Sequence, residues 1–126
     1  MDAKIARDKP LFVCYPRCTT CQRARKWLDE RGIVYAFRDI KTDKPTAAEL
    51  ATWHRASGLP LKKFFNTSGN AYKDLGLKDR LPDMTEAEQI SLLGTDGMLV
   101  KRPIFVNGDL ILVGFKEDEW QEKLRA

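Results

Sequence analysis

No apolar run in this 126-residue chain approaches the ~20 residues that a helical membrane span requires, so no membrane association is expected. The first stretch, residues 1–9, is charged and lacks the apolar centre of a signal peptide. It reads as a short flexible tail, and a cytoplasmic location is expected. Internal repeats and low-complexity segments are absent, and the length suits one domain, 1–126, around one core. The net charge of +4 is too small to argue nucleic-acid binding, and no groove-reading motif is present, so no direct nucleic-acid contact is expected. Such a balance suits an anionic substrate or an acidic partner. Histidine is limited to His54, and cysteine to Cys14, Cys18 and Cys21. An odd, clustered set of three in a reducing compartment is no disulfide framework. Their spacing matches that of radical-SAM iron–sulfur ligands, but those enzymes resemble barrels of roughly 200 residues or more. Zinc would need a fourth ligand, and His54 lies in a separate helical stretch. No metal and no bound cofactor are expected.

Acid is also missing from residues 9–28, which hold Lys9, Arg17, Arg23, Arg25 and Lys26. Part of that flank is a solvated helix face, but it also surrounds Cys18-Thr-Thr-Cys21. This Cys-x-x-Cys follows an apolar run and opens a helical pattern, the layout of a thioredoxin-like redox site. An ordinary thiol, with a pKa of about 8.5, is only roughly 3% thiolate at neutral pH. Unpaired amides and the positive end of a helix favour the anion. Cys18 is therefore expected to be the reactive thiol, with the amides of Thr19, Thr20 and Cys21 as an anion nest.

The hydrophobic pattern predicts a strand over 11–15 and a helix over 19–31 with Cys21, Ala24 and Leu28 on its inner face. A second strand follows over 33–40. Helices are expected over 46–56, 70–75 and 85–93, with a short helix or loop over 62–69. Strands over 104–107 and 110–113 are joined at Asn107-Gly108, and a helix over 116–124 closes the chain. The order is β-α-β, a helical insertion over 44–96, then β-β-α. The insertion is too short to read as a domain with its own core. Cys14 reads as a small core hydrophobe, His54 as a surface or half-buried helix residue, and Trp27, Trp53 and Trp120 as core or cap residues.

Tyr15-Pro-Arg-Cys-Thr-Thr-Cys21 resembles the Pro-x-Cys-x-x-(Ser/Cys) site of the arsenate reductase (ArsC)/Spx family. Lys101-Arg-Pro-Ile-Phe105 resembles that family's Arg-Pro-Ile signature, and Gly114-Phe-Lys-Glu-Asp-Glu119 its ending. Phe64-Phe-Asn-Thr-Ser-Gly69 is similar to the arsenate-reductase-related branch. The resemblance implies an α/β, thioredoxin-like (glutaredoxin-like) fold with an inserted helical subdomain. It implies Cys18 as nucleophile, Arg102 as oxyanion ligand, and Pro103 as a cis proline facing the thiol; Arg17 is a further candidate for attracting anions. Asn66 stands where glutathione-coupled members carry one arginine, and Leu110–Gly114 lacks another. One guanidinium in place of three removes much charge-assisted hydrogen bonding to arsenate. Cys21, where those members have serine, implies an internal disulfide cycle. The function implied is a thiol-disulfide oxidoreductase acting on an oxyanion or disulfide, reset by thioredoxin or by glutathione/glutaredoxin. The alternative is an Spx-like redox-sensing regulator that binds RNA polymerase. A monomer is expected for this fold and size.

Overall fold

The computed structural model describes residues 9–124, so the tail expected over residues 1–9 lies, apart from Lys9, outside the described residues. The chain divides into two compact units. The first joins the residues up to Asp39 with those from Arg102 onward, and the second is Ile40–Lys101.

The first unit contains β1 (Leu11–Cys14), α1 (Thr19–Glu30), β2 (Ala36–Asp39), β3 (Ile104–Asn107), β4 (Leu110–Val113) and α6 (Glu117–Leu124). Its sheet has the order β2-β1-β3-β4. β1 and β2 run parallel from Leu11↔Ala36, while β1–β3 and β3–β4 are antiparallel. This is the thioredoxin-like arrangement that the family resemblance implies, in the element order expected. Alternation along β1 sends Phe12 and Cys14 into a cluster with Cys21, Ala24, Trp27 and Leu28 of α1, Phe105, Leu112 and Trp120. Trp120 is its hub. It is fully buried, meets Phe12, Trp27, Phe105 and Phe115 at centroid distances of 5.0–6.4 Å, and donates its indole N–H to Gly114 O at 3.1 Å.

Among the differences from the expected ranges, three have clear local reasons. β1 stops at Cys14, because the main chain of Tyr15 turns its hydrogen bonds toward the following helix. β2 starts at Ala36 and not at residue 33, since the four-residue β1 offers partners only from that point. Val34, ahead of it, is 67% exposed. In the hairpin, Asn107 still pairs with Leu110, so the two-residue loop is Gly108-Asp109, with Gly108 at φ 61°.

The second unit contains α2 (Ala47–Ser57), α3 (Asn70–Asp74), α4 (Leu77–Arg80) and α5 (Glu86–Leu93), with 3₁₀ turns at Leu61–Phe64, Leu81–Asp83 and Gly97–Leu99. The insertion expected over 44–96 lies within it. α2 and α5 each open on a full capping box, Thr46/Glu49 and Thr85/Glu88. Buried side chains include Leu50, Trp53, Phe64, Phe65, Tyr72, Leu77, Leu93 and Leu99. His54 is half-buried, its ring edge-on to Phe64 at 5.8 Å. No helix among the described residues is long and apolar enough to cross a membrane.

Candidate active site

Cys18 is the N-cap of α1, with extended backbone (φ −83°, ψ 124°) and a side chain that caps nothing. Its N–H donates to Tyr15 O at 2.9 Å, and its carbonyl accepts the Gln22 N–H at 2.9 Å, the first helical bond. The Gln22 side chain reaches back to donate to Pro16 O at 2.9 Å, closing the turn that carries Arg17. Cys18 is half-buried and Arg17 exposed. Thr19, Thr20 and Cys21 fill the first helical turn, whose amides have no carbonyl four residues earlier in the helix. That turn holds no acid. The acids of α1, Asp29 and Glu30, sit at its opposite end, and Asp29 accepts a hydrogen bond from Tyr35 Oη at 2.8 Å.

Cys21 differs from Cys18 in burial and in hydrogen-bond partners. It is fully buried in the aromatic cluster. Its neighbour Cys14, 2% exposed, bonds to it and, together with burial, holds the Cys21 thiol protonated well above the ordinary thiol range. The Tyr15 N–H, which donates to Cys21 Sγ at 3.3 Å, works in the opposite direction but more weakly. All three cysteines are free thiols. Among the described residues, no three His, Cys, Asp or Glu side chains gather so as to hold a metal ion.

The sheet brings in the remaining candidates. Val13 pairs with Ile104. Pro103 and Arg102 precede that pair, at the end of the sheet where β1 gives way to Tyr15. The guanidinium of Arg102 lies over the Tyr15 ring, 5.5 Å from its centroid. The Arg102–Pro103 peptide is cis, Pro103 is buried, and its carbonyl accepts the Gly114 N–H at 2.8 Å. Cys18, Thr19, Thr20, Cys21, Arg102 and Pro103 are thus gathered at one end of the sheet by β1, α1 and the start of β3. Asn66 belongs to the second unit, where its N–H donates to Leu99 O at 2.8 Å.

Two participants escape a reading of the sequence. Cys14 contacts Cys21, which period-2 alternation along β1 signals only as burial on the α1 side. Tyr15 touches both cysteines of the motif through main-chain bonds that no side-chain motif encodes, and Arg102 through its ring.

The family model of the ArsC family matches residues 14–123. A solved structure from Bacteroides fragilis, a putative ArsC family related protein, is 57% identical, covers 90% of this chain and 96% of its own, and superposes with a TM-score of 0.88. A possible arsenate reductase from Streptococcus mutans is 42% identical over 90% of this chain and 98% of its own, with a TM-score of 0.83. Among curated relatives, the uncharacterized protein YusI of Bacillus subtilis is 49% identical over 88% of this chain and 94% of its own length. The global transcriptional regulator Spx of Streptococcus mutans is 26% identical over 82% of this chain and 74% of its own.

Proposed function

Since the chain belongs to the ArsC family, we propose that it is a thiol–disulfide oxidoreductase in which Cys18 attacks the substrate and Cys21 resolves the adduct. The observation that carries this reading is the asymmetry of the pair. One thiol stands half-buried at a helix N-terminus, and the other is buried and held protonated three residues later. With a disulfide substrate, the Cys18 thiolate takes one sulfur and the other leaves as a thiolate that picks up a proton. Cys21 then loses its proton to the medium and attacks Cys18 Sγ, expelling the second substrate thiolate and leaving a Cys18–Cys21 disulfide. With arsenate, Cys18 displaces an oxygen, lost as water. Attack by Cys21 then leaves the electron pair of the S–As bond on arsenic, which departs as arsenite. Either way two electrons pass from the dithiol to substrate, and thioredoxin or glutathione/glutaredoxin returns them. Arg102, with the amides of the first turn of α1, balances the negative charge of an oxyanion or leaving thiolate. Pro103 and Thr20 wall the site, and Arg17 adds positive potential at its rim.

The test is NADPH consumption with arsenate and with a small disulfide, each coupled to thioredoxin and to glutathione–glutaredoxin, for wild type and Cys18→Ser. Turnover that disappears in Cys18→Ser supports the reading and identifies the donor. Turnover that survives in Cys18→Ser overturns the assignment of the nucleophile. The regulatory alternative draws on the likeness to Spx. In that case the same disulfide would switch binding to RNA polymerase, and purified polymerase would retain one redox state of the chain without any turnover.

A further inference from the structure

We propose that Tyr15 is a positioning residue that joins the anion-binding arginine to the cysteine pair. Its carbonyl accepts the Cys18 N–H at 2.9 Å. Its N–H donates to Cys21 Sγ at 3.3 Å. Its ring carries the Arg102 guanidinium at 5.5 Å. It is half-buried and packs on the cluster that contains both Cys14 and Cys21. The two main-chain bonds tie the turn to the helix whatever side chain stands at this position. The ring is what places that turn against the Arg102 guanidinium. An arginine on a flexible stem gains little as an oxyanion ligand unless its fork is held in place. The face of an aromatic ring is a seat for a guanidinium, stronger where water is partly excluded. Tyr15 thereby sets where the positive charge stands relative to Cys18, and the phenol hydroxyl plays no part in this.

The inference rests on the proposed role of Arg102, and the experiment separates the two. Cys18 alkylation is followed by peptide mass mapping at low ionic strength, with anionic iodoacetate and with neutral iodoacetamide. The ratio of the two rates reports the positive potential at the thiol. Arg102→Gln is expected to lower the ratio. Tyr15→Leu, which keeps the apolar bulk and both main-chain bonds, is expected to lower it about two- to fivefold, the range a cation–π contact of this kind supports. Tyr15→Phe is expected to retain the wild-type ratio, and Tyr15→Leu to have no effect in an Arg102→Gln background. A fall with Arg102→Gln but none with Tyr15→Leu overturns the role of Tyr15 and leaves that of Arg102 standing. No fall with Arg102→Gln overturns the anion-binding role itself. An equal fall from Tyr15→Leu with and without Arg102 shows that the ring does not act through the guanidinium, which also overturns the inference. If Tyr15→Leu loses its cooperative thermal transition, Tyr15→Met, unbranched and adaptable in packing, serves in the same comparison.

Discussion

The protonated state of Cys21 makes the stability of this protein depend on alkaline pH in a calculable way. In the unfolded chain the Cys21 thiol titrates near 8.5. In the folded chain its bond to Cys14 and its burial raise it far above that value. A group raised on folding contributes stability that is fully present below its unfolded pKa and is lost as pH climbs toward its folded one. At pH 10 the unfolded thiol is ionised and the folded one is not, and the linkage relation then gives a loss of about 2 kcal/mol relative to pH 7. The assay is urea unfolding under strong reductant at both pH values, for wild type and Cys21→Ala. Groups that do not touch Cys21 contribute equally to both proteins and cancel in the comparison. Wild type should lose about 2 kcal/mol more than Cys21→Ala, roughly a 1 M larger drop in urea midpoint for a chain of this size. Parallel losses in the two proteins, within about 0.5 kcal/mol, would refute the reasoning. Cys21 would then ionise in the fold as easily as outside it, and its description as a proton-retaining resolving thiol would fall.

Two further predictions concern the scaffold. Trp120→Ala removes the hub of four ring contacts and leaves Gly114 O without its indole donor. It should cost about 3–5 kcal/mol by chemical denaturation, and a cost below about 2 kcal/mol would show that the cluster repacks around the loss. Gly97→Ala would drive a methyl group into the Ile40 carbonyl, a main-chain atom that cannot step aside. A destabilisation of about 3 kcal/mol or more is expected from this overpacking, and a melting temperature within about 3 °C of wild type would contradict it.

Much of the fold was legible in the sequence because its elements announce themselves locally. The apolar spacing of Cys21, Ala24 and Leu28 marks α1, and the ranges of β3 and β4 follow from two apolar runs around one turn signal. Leu77–Arg80, Leu81–Asp83 and Gly97–Leu99 were not legible. Each is a turn of three or four residues, too short for a helical period to be seen. At the site, Cys18 and the first turn of α1 could be read because a Cys-x-x-Cys at a helix start has its meaning within four residues. Arg102 entered only through the family resemblance, and the seating of its guanidinium on the Tyr15 ring could not be read. It depends on the antiparallel register between β1 and β3, a relation between segments far apart in the chain. The proximity of the Cys14 and Cys21 thiols hides for a similar reason, since strand alternation and helical periodicity each report burial without saying that the two buried side chains meet.

The charge pattern of α1 has an evolutionary consequence. Helices ordinarily gain about 0.3–1 kcal/mol for each acid near the N-terminus and each base near the C-terminus. α1 forgoes the first of these, with no acid in its first turn, while its acids Asp29 and Glu30 sit at the carboxyl end beside the C-cap Arg31, whose guanidinium donates to Trp27 O at 3.2 Å. An acidic residue at position 19 or 20 would make a more stable helix and place a repelling charge beside Cys18. A stabilising substitution of the kind that marginally stable proteins leave available would therefore run against the chemistry proposed at Cys18. If Cys18 acts as proposed, Thr19 and Thr20 are uncharged positions where reactivity and helix stability pull in opposite directions.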